Sequence, residues 1–266
     1  MRSLNECIIE SLLDDEDEVF DGAKEGVISI IKDFLKTNYM IDGSYTIKEK
    51  GNEFIVNVKG NVVVKNENIT TLTNEFFEFG EVSKNFNCYY CRSLTSLKGA
   101  PKKVGGGFEC GNCKSLTSLK GAPKKVGGGF YCNGCNSLKS LEDAPKEVGG
   151  YFNCSGCNSL TSLEGAPEKV GGNFGCYGCD SLTSLKGAPK EVKRWFGCNN
   201  CNSLTSLKGA PKKVGEGFYC YGCNSLKSLE GAPDEVGGDF DCRDCGIKYT
   251  EGDVKKYTKV FGYILV

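Results

Sequence analysis

Hydrophobic positions recur along most of this chain at one fixed spacing. Phe stands at 86, 108, 130, 152, 174, 196, 218 and 240, a period of 22 without insertion. Each Phe opens F-x-C-x-x-C, so apolar, variable and apolar positions alternate as in a short strand with one buried face. Leu94, Leu97, Pro101 and Val104, with their equivalents in later units, supply the remaining inward positions. The linkers read S-L-T-S-L-K-G-A-P-K-K-V-G-G-G, and the G-A-P triplet and glycine run exclude a long helix. A constant period means that each unit forms one coil stacked on the last. The pattern predicts a β-rich solenoid of eight 22-residue coils, with a parallel sheet along one side, rungs ~4.8 Å apart and a length of ~40 Å.

The flanks read as caps, which an open solenoid needs over its end coils. Residues 1–20 form an N-terminal amphipathic helix and acidic segment, with a Ser3/Glu6 capping box ahead of Leu4, Ile8 and Leu12. Residues 21–85 read as an α+β cap. A helix over 23–35 carries Val27, Ile30, Ile31 and Phe34 on one face, and two or three strands follow at 45–47, 54–58 and 62–64. Within this cap I-T-T-L at 69–72 echoes L-T-S-L, and Val82 lies 22 residues before Val104, which predicts one degenerate coil. The eight regular units fill residues 86–245. Residues 246–266 form a C-terminal cap, with Thr250 and Asp253 capping a short helix before a strand over 260–266.

Composition narrows the chemistry. The 266 residues include 36 Gly, 17 Cys and no His, which removes His-based triads, His-ligated metals and imidazole proton shuttles. No nucleophile, base and oxyanion donor come together in the pattern, so a non-enzymatic role is expected. Net charge is -1, split as -8 over 1–85, +5 over 86–245 and +2 over 246–266. That excess is too small for a nucleic-acid reader, and the stripe of Lys98, Lys102, Lys103, Lys120, Lys124 and Lys125 reads as a solvated face. No apolar run reaches the ~18 residues of a membrane span, and no secretory signal opens the chain, so a cytoplasmic protein is expected.

The repeat resembles the leucine-rich repeat family. F-x-C-x-x-C-x-S-L is similar to its L-x-L-x-x-N/C-x-x-L signature, and L-T-S-L-K-G-A-P-K-K-V to the Pro-containing return segment of the short bacterial subclass. It is most similar to bacteriophage-type repeat proteins with F-x-C-x-x-N and L-T-S-L-x-G-A-P units. The opening M-R-S-L-N-E-C-I-I-E-S-L also resembles N-terminal packaging peptides of phage internal head proteins, beside its plainer reading as a capping helix. The resemblance implies an inward residue at the N/C position that bonds neighbouring backbone in a ladder. Here that residue is Cys, a weak hydrogen-bonding group.

Two roles are open for the cysteines. The pairs Cys88/Cys91, Cys110/Cys113, Cys132/Cys135, Cys154/Cys157, Cys176/Cys179, Cys198/Cys201, Cys220/Cys223 and Cys242/Cys245 are either buried thiols acting as small hydrophobes or stacked four-thiolate zinc sites between coils. The repeat itself imposes the C-x2-C spacing, so spacing alone does not choose. Binding by a protein partner is expected instead on the positions that vary between units. Tyr89, Tyr131, Tyr177, Tyr219 and Tyr221 stand between fixed inward residues and form an aromatic set, and Trp195, in Lys193-Arg194-Trp195, replaces the usual glycine-rich triplet at its rim.

Overall fold

A computed structural model describes residues 17–51 and 53–266. The helix expected around Leu4, Ile8 and Leu12 lies outside the described residues. Helix α1 (Asp17–Asn38) is longer than its apolar stripe, which buries Ile31 and Leu35 with Val27 and Phe34 partly covered. Ile30, expected on that face, is 45% exposed, because successive residues turn by ~100° and Ile31 and Leu35 centre the stripe.

Strands β1 (Tyr39–Lys50) and β2 (Glu53–Val64) form one antiparallel hairpin with unbroken register from Tyr39↔Val64 to Lys50↔Glu53. The shorter strands expected from the sequence are joined here. Gly43 and Gly60 face each other at φ 130 and 153, where a Cβ on either would strike the opposite backbone, so glycine lets both strands run through. The second half of β2 is already solenoid: Val62 pairs in parallel with Phe86, and Val58 with Val82 of β3 (Phe77–Val82).

From β4 (Phe86–Asn87) and β5 (Lys103–Val104) to β17 (Glu235–Val236) and β18 (Phe240–Asp241), two short strands alternate in every coil. They build two narrow parallel ladders, one through the Phe positions and one through the Val positions, where the sequence indicated a sheet at Phe alone. The glycines between Val and Phe turn the chain from one ladder to the other. Each Phe strand ends at a left-handed residue four positions on, as at Tyr90 (φ 63), Asn112 (φ 53), Asn200 (φ 58) and Asp244 (φ 53), with Gly in the coils between.

Inside, the eight Phe side chains are fully buried, and successive rings stack with centroids 5.2–5.5 Å apart and planes within 5–19°. The paired Leu columns, Leu94/Leu97 to Leu226/Leu229, are equally enclosed. Both ladders extend beyond the eight regular units. Helix α2 (Glu251–Lys255) carries the expected Thr250/Asp253 capping box. The strand expected over 260–266 is two strands, β19 (Lys259–Val260) and β20 (Ile264–Leu265), which continue the Val and Phe ladders as a last rung.

Truncating one stacked ring tests this core. Phe174→Ala should cost about 3–5 kcal/mol in urea unfolding, as for other large-to-small core changes. Phe261→Ala, at a ring 58% exposed on the last coil, should change stability by less than about 0.5 kcal/mol.

Candidate functional site

The thiols occupy two inward columns. All sixteen are free, and all but Cys245 are buried. From Cys113 on, each second-column thiol donates to the carbonyl of the first-column Cys one coil earlier: Cys113 to Cys88 at 3.2 Å, Cys135 to Cys110 at 3.2 Å, Cys157 to Cys132 at 3.1 Å, Cys179 to Cys154 at 3.3 Å. Cys201, Cys223 and Cys245 continue the series onto Cys176, Cys198 and Cys220 at 3.1, 3.2 and 3.3 Å. These bonds form an inter-coil ladder of S–H donors on backbone carbonyls, where the resemblance implied bonds to backbone amides. Burial pushes the Cys110, Cys154, Cys176 and Cys198 thiols well above their usual range, and pushes Cys91, Cys223 and Cys242 up to about 12. Zinc binding would require these thiols to release their protons. Among the described residues no group of three or more Cys, Asp or Glu is arranged to hold a metal ion.

The variable positions lie on the outer face of the Phe ladder, in three columns: one residue before each Phe, one after it and three after it. The expected tyrosines are there, but most do not stand clear of the surface. Tyr177 and Tyr221 are 40% and 36% exposed, while Tyr89, Tyr131 and Tyr219 are half-buried. Trp195, expected at the rim, lies within the row of rings. It packs edge-on against Tyr151 (centroids 5.1 Å apart, 64°) and Tyr219 (6.4 Å, 62°), and Tyr151 in turn meets Tyr131 (5.8 Å, 85°). Tyr131, Tyr151, Trp195 and Tyr219 therefore form one continuous aromatic strip. Tyr89 stands apart, edge-on to Tyr90 at 4.4 Å, with its hydroxyl hydrogen-bonded to the Asn112 amide.

Two of these aromatic residues escaped the sequence reading. Tyr151 sits one residue before Phe152, in the column of Trp195 and 44 residues from it, and comparison of that column across units would have found it. Tyr90 occupies the left-handed bend. The strip lies flat because glycine stands beneath it. A Cβ at Gly129 would come within 2.5 Å of the Tyr131 ring, and Gly217 lies in the same way against Tyr219.

The charges around the strip are paired. Arg243 reaches the buried Asp241 carboxylate through Nε and Nη2 at 3.0 and 2.7 Å. Burial, then Asp239, Glu216 and Asp241, push the Tyr219 hydroxyl up. Along the Val ladder, Lys102, Lys103 and Lys125 of the basic stripe pair with Glu78, Glu81 and Glu147 at 2.5, 3.3 and 4.0 Å. Among the described residues no helix is long and apolar enough to cross a membrane.

The thiol columns make stability fall with alkaline pH. In the unfolded chain thiols ionise near ~8.5, whereas in the folded chain the raised groups keep their protons towards about 12. Their contribution is fully present below pH ~8.5 and is lost progressively above it. Urea midpoints should be flat from pH 6 to ~8 and lower at pH ~10. Native thiols should be silent to a thiol reagent until denaturant is added, and elemental analysis should find no stoichiometric zinc. About four zinc per chain, one per pair of coils, would instead show stacked metal sites.

No protein-family model, no curated protein and no solved structure matches this chain.

Proposed function

We propose that this chain is a non-enzymatic, phage-encoded repeat solenoid that docks a protein partner on the outer face of its Phe ladder, in the cytoplasm of the infected cell or in the virion. One observation carries the reading. The inward framework repeats nearly verbatim, while the variable outer columns of the regular units gather the strip Tyr131–Tyr151–Trp195–Tyr219 and its neighbours Tyr177 and Tyr221. Tyr and Trp give large contact area at low conformational entropy cost, and the rings are already held in place by each other and by the glycine floor. The phage setting rests on the resemblance of the repeat units.

The test is a combined substitution of Tyr131, Tyr177, Tyr219 and Tyr221 by Ser. These side chains lie outside the Phe, Leu and Cys columns, so the variant should keep its circular dichroism spectrum and cooperative unfolding. Partner recovery from the native host should fall by well over tenfold, at about 2 kcal/mol per hot spot. Undiminished recovery would show that another surface does the binding.

A further inference from the structure

Next to Trp195 the strip opens into a depression of about 340 Å³ lined by Tyr177, Trp195, Asn199, Tyr219, Tyr221 and Asp241. Its shape follows from the column three residues after Phe. Tyr177, Asn199 and Tyr221 occupy that column in successive coils, so the short Asn leaves a notch between two exposed tyrosines whose backbones are ~10 Å apart, two rung spacings. Trp195 and Tyr219, in the neighbouring columns, supply two further rings. Four aromatic residues line this one notch, and aromatic rings attract cations to their faces. Three carboxylates bear on Tyr219: Asp239, and Glu216 and Asp241, which pair with Arg194 at 3.9 Å and Arg243 at 2.7 Å, so the surroundings of the notch already accommodate guanidinium groups.

A smaller depression of about 190 Å³ repeats the combination near the other end of the face, lined by Tyr89, Glu109, Tyr131 and Asn133. Two further rings of this chain already hold cations: Arg92 lies over Tyr90 at 5.8 Å and Lys259 over Phe261 at 4.4 Å.

Building on the docking face proposed above, we infer that the notch between Tyr177 and Tyr221 receives an arginine side chain from a basic, extended segment of the partner. A flat guanidinium stacks on aromatic faces better than an ammonium does and is more weakly hydrated, which suits a shallow aromatic notch beside carboxylates. Tyr89 and Tyr177 are four coils apart, ~19 Å along the solenoid, which an extended segment covers in about six residues. A second arginine six residues away would therefore reach the smaller depression.

Trp195 is the only tryptophan of the chain, so its fluorescence reports on this notch alone. N-acetyl-arginine amide should change its emission saturably, with a midpoint on the order of millimolar for so small a ligand. N-acetyl-norleucine amide, methyl glucoside and tetramethylammonium, which stand for an apolar group, a sugar and a small free cation, should need at least about fivefold more. A peptide with two arginines six residues apart should bind at least about tenfold tighter than one with the same arginines adjacent. Tyr177→Ala with Tyr221→Ala should raise the arginine midpoint by about fivefold or more, whereas Tyr45→Ser on the distant N-terminal hairpin should leave it unchanged. An equal response to norleucine amide, glucoside or tetramethylammonium, no response to arginine, or an unchanged midpoint in the double alanine variant would overturn the inference. If these titrations fail while the four-tyrosine variant still loses its partner, the docking face stands and only its arginine chemistry falls. If that variant keeps its partner, the docking face itself falls.

Discussion

Backbone hydrogen bonds from one coil to the next, made at the same positions every 22 residues, set the terms for everything else in this molecule. Phe108 N–H meets Gly129 O, Phe130 N–H meets Tyr151 O, and Gly127 N–H meets Val104 O, each at 2.8–2.9 Å, and the pattern repeats along the solenoid. Within the regular array the unit length stays at 22, and at both ends the ladder takes up two extra residues in the connections, as Val62↔Phe86 and Phe240↔Ile264 show. It also brings like residues over like. Phe lies on Phe, Leu on Leu and Cys on Cys, so a residue type is admitted only if it packs against copies of itself. Flat aromatic rings do so by offset stacking, which explains the nearly parallel planes of the central column.

The same constraint accounts for cysteine. A coil that turns at a left-handed residue after its Phe strand presents a carbonyl to the buried second-column side chain of the coil that follows. Val or Ala there would leave that carbonyl unpaired inside the core, at about 1–3 kcal/mol per coil. A more polar side chain would bring in further groups to satisfy in the same narrow column. A thiol is small and apolar enough to stack on other thiols and still donates one hydrogen bond. At Cys135, Cys179 and Cys201 burial pushes the donor thiol up, so there the same geometry that makes the thiol useful to the fold suppresses its reactivity.

Much of this was legible in the sequence because periodicity is a property of burial, and burial repeats with the coil. The Phe, Leu, Val and Cys columns and the Thr250/Asp253 cap all follow from residue type and spacing. What escaped depends on backbone conformation or on neighbours far apart in the chain. The second ladder, at Lys-Val, is only two residues per coil and has no alternation to betray it. The left-handed bend is occupied by Tyr, Asn, Gly and Asp in different units, so no single residue type marks it. Joining 54–58 and 62–64 into one strand required the facing Gly43, 17 residues away. Tyr151 went unnoticed because it closes a glycine-rich triplet that was read as framework.

The aromatic strip shows that variation on the outer face is itself governed by packing. Units with Tyr one residue after Phe have Gly one residue before it, as in Gly129/Tyr131 and Gly217/Tyr219, and the unit with Trp before Phe has Gly after it, as in Trp195/Gly197. The floor of each large ring is a residue without a side chain in the adjoining column. Random change at independent exposed sites would not couple the two columns in this way. The rings of the strip restrict one another and rest on these glycines, which limits their rotamer freedom. Coils also place their outer side chains at fixed intervals of one rung, so the spacing of rings along the face is inherited from the backbone ladder. A surface built on this plan can change its outer shape by exchanging Gly and Tyr between columns, while the Phe, Leu and Cys stack beneath it stays as it is.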